Sequence, residues 1–176
     1  MEEKFMREAI KLAERAKKRG EVPIGAVVVL NGKIVGRGYN LRTKLQMATA
    51  HAEMRAIDRA CKKEQSWRLP EAELYVTLEP CPMCMGAILN ARIKRVYFGA
   101  YEQKGRSLTE ALANANLLNH KVEVIGGVLE EECSRVLSSF FIEMRAREKA
   151  EKEKKKAKAQ KKAARKGRLP KTEKHE

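Results

Sequence analysis

A chain of 176 residues has room for one ordinary domain with a buried core and too little for two, so a single domain with a tail is expected. Lys and Arg outnumber Asp and Glu by 38 to 23, and the net charge of +15 points to a polyanionic partner such as nucleic acid. No apolar run approaches the roughly 18 residues of a membrane span, and Met1-Glu2-Glu3-Lys4 does not begin a secretory signal, so a cytoplasmic protein without a membrane partner is expected.

Phe5, Ala9, Leu12, Ala13 and Ala16 recur at helical spacing before Lys17-Lys18-Arg19-Gly20, which predicts an amphipathic helix over residues 5–19. Residues 22–30 are almost continuously apolar, the pattern of a strand covered on both faces. Asn31-Gly32 is a two-residue hairpin signal, so residues 34–39 are expected to pair back antiparallel. After a polar loop, residues 50–60 read as a helix and 74–78 as a buried strand. Pro82 suits the first turn of a third helix over 82–92, followed by a short strand at 96–98. A fourth helix over 109–118, a weak strand at 122–125 and a long helix from Glu130 complete the order. Such alternation predicts an α/β fold, a mixed sheet with helices on both faces.

The domain is expected to occupy residues 1–147. Residues 148–176 form a basic Lys/Ala-rich tail without an apolar stripe, expected to extend the last helix briefly and then fray. From Arg145 onward the chain carries 15 Lys and Arg against five Glu, a net +10, so two-thirds of the excess charge lies there.

Two short segments carry chemistry: His51-Ala52-Glu53 and Pro80-Cys81-Pro82-Met83-Cys84, each at a predicted helix start. Cysteines three apart in a first helical turn present both sulfurs to one side, a chelate for an ion with bonds of about 2.3 Å to sulfur. The helix N-terminus favours their thiolates. With His51 as a third ligand, one tetrahedral position stays open for water, the arrangement of catalytic zinc. Glu53 lies in the same turn as His51, where it can stand beside a metal without binding it and move protons. Two blander readings compete. A thiol-disulfide pair needs only Cys81 and Cys84, whereas a structural four-ligand zinc site needs a further donor from Cys61, Cys133, His120 or His175, none of which forms a second chelating pair.

At these residues the chain resembles the zinc nucleoside and nucleobase deaminases, whose signature is H-x-E…P-C-x-x-C. It looks closest to the bacterial tRNA adenosine deaminases, through Val22-Pro23-Ile24-Gly25-Ala26, Gly38-Tyr39-Asn40, Ala48-Thr49-Ala50-His51-Ala52-Glu53, Val76-Thr77-Leu78-Glu79-Pro80-Cys81, Met85-Gly86-Ala87, Asn119-His120 and Phe140-Phe141. The resemblance implies a three-layer α/β/α cytidine-deaminase-like fold around a five-stranded mixed sheet, one zinc ion per subunit, a homodimer, and hydrolysis of the wobble adenosine of a tRNA anticodon to inosine. By position it implies that Asn40 holds the target nucleoside, that Val22, Pro23 and Ile24 line the base pocket, and that Ala52 and Cys81 offer backbone contacts near the metal. Glu102, Lys104, Phe140 and Phe141 are expected beside the anticodon loop. Core packing is the alternative for Val22, Ile24 and the two phenylalanines. The loop Gly99-Ala100-Tyr101-Glu102-Gln103-Lys104-Gly105-Arg106-Ser107 is a few residues shorter than the family pattern, which bears on RNA against DNA preference and not on the metal chemistry. The alternative functions are deamination of single-stranded DNA, a free nucleoside, guanine or cytosine, and a non-catalytic zinc-stabilised RNA-binding protein.

Overall fold

The computed structural model describes residues 2–102, 108–115 and 119–166, with side chains as far as residue 161. The chain separates into two compact units, Met1–Phe140 and Phe141–Glu176. The first unit opens with α1 (Glu2–Lys17), the hairpin β1 (Gly25–Leu30) and β2 (Lys33–Tyr39), the short α2 (Arg42–Leu45) and α3 (Ala52–Glu64). Then come β3 (Glu73–Leu78), α4 (Pro82–Asn90), β4 (Arg95–Ala100), α5 (Thr109–Asn114) and β5 (Glu123–Ile125). The last helix, α6 (Glu130–Lys166), begins in the first unit and supplies the helical part of the second.

The sheet has the order β2-β1-β3-β4-β5; β1 pairs antiparallel with β2 and β3, while β3, β4 and β5 run parallel. This is the five-stranded mixed sheet expected. Alternate residues divide its faces, as the period of two requires. Ala26, Val28, Leu74, Val76, Val96 and Phe98 pack with Ala52, Ala56 and Ala60 of α3 and Met85, Ile88 and Leu89 of α4. Val27, Val29, Tyr75 and Tyr97 face Phe5, Met6, Ala9 and Leu12 of α1, with Cys133 of α6. The result is an α/β/α sandwich whose central strands are covered on both sides, which is why β1 carries no polar alternation.

Two backbone features seat the elements around the site. Asn31 and Gly32 adopt φ of 50° and 71°, the left-handed pair of a tight hairpin turn. Gly36 and Gly38 of β2 lie directly under α3: a Cβ on Gly36 would strike the Ala56 carbonyl, and one on Gly38 the Ala52 carbonyl. Glycine on the strand and alanine on the helix therefore bring backbone against backbone.

Several boundaries differ from expectation for identifiable reasons. The first strand starts at Gly25 and not at Val22, because Pro23 has no N–H for a ladder and Ile24 turns its N–H back to the Val22 carbonyl at 2.8 Å. The polar loop contains α2, whose Thr43 and Lys44 amides donate to the buried Glu21 carboxylate at 3.2 and 2.6 Å. α3 starts at Ala52, with His51 as its N-cap. α5 covers Thr109–Asn114, and residues 116–118 of the helix expected there lie outside the described residues.

The tail expectation differs most. α6 continues to Lys166, well past Arg147, since residues 148–166 are wholly Ala, Lys, Glu, Gln and Arg, the strongest helix formers. The compact units divide between Phe140 and Phe141, within the last stretch of large apolar residues on the helix, Phe140-Phe141-Ile142-Glu143-Met144. No helix among the described residues is long and apolar enough to cross a membrane.

Candidate active site

His51 and Cys81 occupy equivalent positions at the starts of α3 and α4. Each is an N-cap with extended backbone (φ −75° and −72°), and neither spends its side chain capping its own helix. Pro82 at the first turn of α4 pre-sets the helical φ without wasting a donor. One turn on, Cys84 is fully buried. The His51 Nδ1 atom lies 3.6 Å from Cys84 Sγ and 3.8 Å from Cys81 Sγ, and the three donor atoms all fall within 4.8 Å of one another.

A tetrahedral ion with bonds of about 2.3 Å to sulfur and about 2.0–2.1 Å to nitrogen places neighbouring N and S donors roughly 3.6 Å apart. The group therefore has the spacing to hold a metal ion. Its charge state points the same way. Cys81 is pulled down to about 4, chiefly by the hydrogen bond from the Cys84 thiol and then by that from His51, against its burial. Cys84 is pushed up, first by that shared bond and then by burial, and His51 is raised by its bond to Cys81. The two sulfurs and the His51 ring nitrogen thus converge on one point, where a cation could meet all three.

Among the described residues no fourth histidine or cysteine joins this group. His120 Nε2 donates to the Ile93 carbonyl at 2.8 Å, Cys61 Sγ lies 3.8 Å from the Trp67 carbonyl, and Cys133 is buried with the α1-side core. His175 lies outside the described residues.

Glu53 is the second feature of the site. Its side chain is 3% exposed, and its Oε2 atom is buried without a hydrogen-bond partner. Burial raises its pKa above the ordinary carboxylate range, opposed by its own backbone N–H and the nearby His51.

A family model described as MafB19-like deaminase matches residues 1–147. The tRNA-specific adenosine deaminase of Bacillus subtilis (strain 168) is 52% identical over 151 residues, covering 85% of this chain and 94% of that protein. This chain belongs to the tRNA-specific adenosine deaminase family. The enzyme of the same name from Streptococcus pyogenes serotype M3 (strain ATCC BAA-595 / MGAS315) is 45% identical, covering 84% and 88%. A solved structure from a study of A-to-I editing by tRNA:A34 deaminases at the wobble position of transfer RNA superimposes with a TM-score of 0.70 at 43% identity, covering 76% of this chain and 98% of that one.

Around the deaminase centre, Asn40 and the segment Val22-Pro23-Ile24 form one hydrogen-bonded unit. The Asn40 backbone donates to the Ile24 carbonyl at 3.0 Å and its side-chain amide to the Val22 carbonyl at 3.4 Å. Its Oδ1 accepts from the Arg42 amide at 3.4 Å. The next residue, Leu41, donates to the Ala50 carbonyl, one position before His51, so this unit is tied to the turn that carries His51. Asn40 and Pro23 are buried, whereas Val22 and Ile24 are half-buried, Ile24 packing partly against the α3/α4-side core. Ala52 is buried in the first turn of α3.

Glu102 is half-buried, with its amide donating to Glu79 Oε2 at 3.0 Å. Lys104 and the rest of the shortened loop, 103–107, lie outside the described residues. Phe140 closes the first compact unit and Phe141 opens the second, both half-buried on α6.

Sequence reasoning missed three buried polar residues that tie together the segments around this group. Glu21 caps α2, Thr77 accepts from the Gly25 amide at 3.2 Å, and Thr109 donates to the Pro80 carbonyl at 3.0 Å, just before Cys81. Their partners are 22 to 52 positions away in the chain, and no local pattern could have announced them.

Proposed function

We propose that this deaminase hydrolyses adenosine to inosine at the wobble position of a tRNA anticodon, with His51, Cys81 and Cys84 holding one zinc ion and Glu53 carrying the protons. The observation that bears most weight is the three-donor group beside a buried carboxylate, Glu53. When bound, zinc supplies Lewis acidity that lets water ionise near neutral pH.

The residues do the rest. Water adds at C6 of the adenine ring, and the C6–N1 double bond must take a proton at N1 as it does so. Glu53, two residues from His51 in the first turn of α3, takes that proton from water and delivers it to the ring. Glu53 then takes the proton of the new C6 hydroxyl and passes it to the exocyclic amine, which leaves as ammonia as the C6–N bond breaks and the C6 oxygen becomes the carbonyl of the product. Water and adenosine become inosine and ammonia, with Glu53 returned to its starting state.

Asn40 keeps two long hydrogen bonds of 3.4 Å, so its amide has capacity for the target nucleoside. Val22, Pro23 and Ile24 line the base pocket, and Ala52 and Cys81 contribute backbone contacts near the metal. Glu102, Lys104, Phe140 and Phe141 meet the flanking nucleotides. The enzyme acts as a cytoplasmic homodimer, a reading supported by family resemblance.

One preparation incubated in parallel with tRNA, a matched oligodeoxynucleotide, free adenosine, guanine and cytidine tests the substrate class. Inosine in tRNA and no change in the others is expected. Faster turnover of any of the others would overturn the assignment while leaving the hydrolytic chemistry intact.

A further inference from the structure

Residues 145–166 are helical throughout and belong to the second compact unit. They carry 12 Lys and Arg against three glutamates, Glu148, Glu151 and Glu153, a net +9 over a length of about 33 Å at 1.5 Å per residue. Every side chain described here, from Arg145 to Lys161, is exposed. Alanine is the largest apolar residue of the segment. That excludes the apolar seam a coiled coil needs and the Trp, Phe or Leu face with which an amphipathic helix enters a lipid surface. The few glutamates sit three or four positions before lysines, at Glu148/Lys152 and Glu151/Lys155, where they support the helix without cancelling its charge. About one net positive charge per 3.7 Å is close to the phosphate spacing of one nucleic-acid strand, about 3.4 Å.

We propose that helix residues 145–166 form an electrostatic arm that binds the phosphate backbone of the substrate RNA and reads none of its sequence. The identity of the polyanion rests on the RNA reading above; the arm itself rests on charge, exposure and the absence of large apolar side chains. Binding by such an arm is driven by counterion release and falls steeply with salt. It raises the local concentration of substrate and takes no part in the chemical step.

The test uses the full chain with Lys152, Lys154, Lys155, Lys156, Lys158 and Lys161 all changed to Gln, which keeps helix propensity and removes six charges. A second variant changes Glu148, Glu151 and Glu153 to Gln and raises the charge by three. Affinity for full-length tRNA is measured against salt, beside the single-turnover rate at saturation and the helical circular dichroism signal. Expected for the lysine variant are a salt slope smaller by roughly 2 to 5, affinity at least about ten-fold weaker at 50 mM salt, and the same loss on a tRNA that is not deaminated. The saturated rate stays within about two-fold. The glutamate variant shifts affinity and slope in the opposite direction. Unchanged affinity and slope in both variants, or a fall in the saturated rate with affinity intact, would overturn the arm. Failure to deaminate any RNA while the lysine-dependent slope persists would remove the proposed activity and leave the arm standing.

Discussion

Glu53 and the three donors beside it could be picked out from sequence because their geometry is local. A His-x-Glu pair fits within one helical turn, and Cys-x-x-Cys with Pro82 between encodes both the helix start and the chelate. The partners of Asn40 were not legible, because the Val22 carbonyl reaches it through strand pairing across 18 positions. Two outcomes follow at this scale. Glu53→Gln should keep one zinc per chain and its fold while single-turnover deamination drops by roughly 10²–10⁴; parental turnover with full zinc content would exclude Glu53 as proton carrier. Cys84→Ala should weaken zinc by more than the roughly 10–100-fold typical of second-shell changes, read by competition with a chelating dye. In the parental protein, zinc should protect Cys81 from maleimide and chelation should expose it, with buried Cys133 unlabelled in both states. Labelling of Cys81 at the same rate with and without zinc would contradict the assigned ligand set.

Elements place those residues, and here local pattern reached less far. The hairpin was legible because Asn31-Gly32 meets the left-handed demand of its turn, whereas α2 was not, since its cap comes from Glu21 on the far side of the hairpin. The length of α6 was underestimated because the missing apolar stripe was weighed above the helix propensity of Ala, Lys and Glu. The seat of α3 on β2 depends on Gly36 and Gly38. Gly38→Ala would set a methyl against the Ala52 carbonyl and the Ala56 amide nitrogen, backbone atoms that cannot swing aside. Urea unfolding of the zinc-loaded protein should show a loss of about 1–3 kcal/mol, with weaker zinc binding as the α3 start moves. Thr109→Val leaves the Pro80 carbonyl without its partner and should cost about 1–3 kcal/mol. An unchanged urea midpoint in Gly38→Ala would show that α3 is seated some other way.

At the scale of the whole molecule, an ion held as proposed by His51, Cys81 and Cys84 would couple the two sides of the site, because those residues stand at the starts of separate helices, α3 and α4. An ion bound only by the folded state at about 100 times its dissociation constant adds about 2.7 kcal/mol. For a chain of this size, stripping it should therefore lower the thermal midpoint by roughly 5–10 °C, and Cys84→Ala should show no such zinc dependence. The central claim is the chemistry at the wobble position. It is met most directly by incubating zinc-loaded protein with an anticodon stem-loop RNA carrying adenosine there and a second adenosine elsewhere in the loop, followed by nucleoside and sequence analysis of the product. Inosine at the wobble position alone, lost in Glu53→Gln, is the predicted result; no inosine from the zinc-loaded parent, or inosine equally at both adenosines, would contradict it.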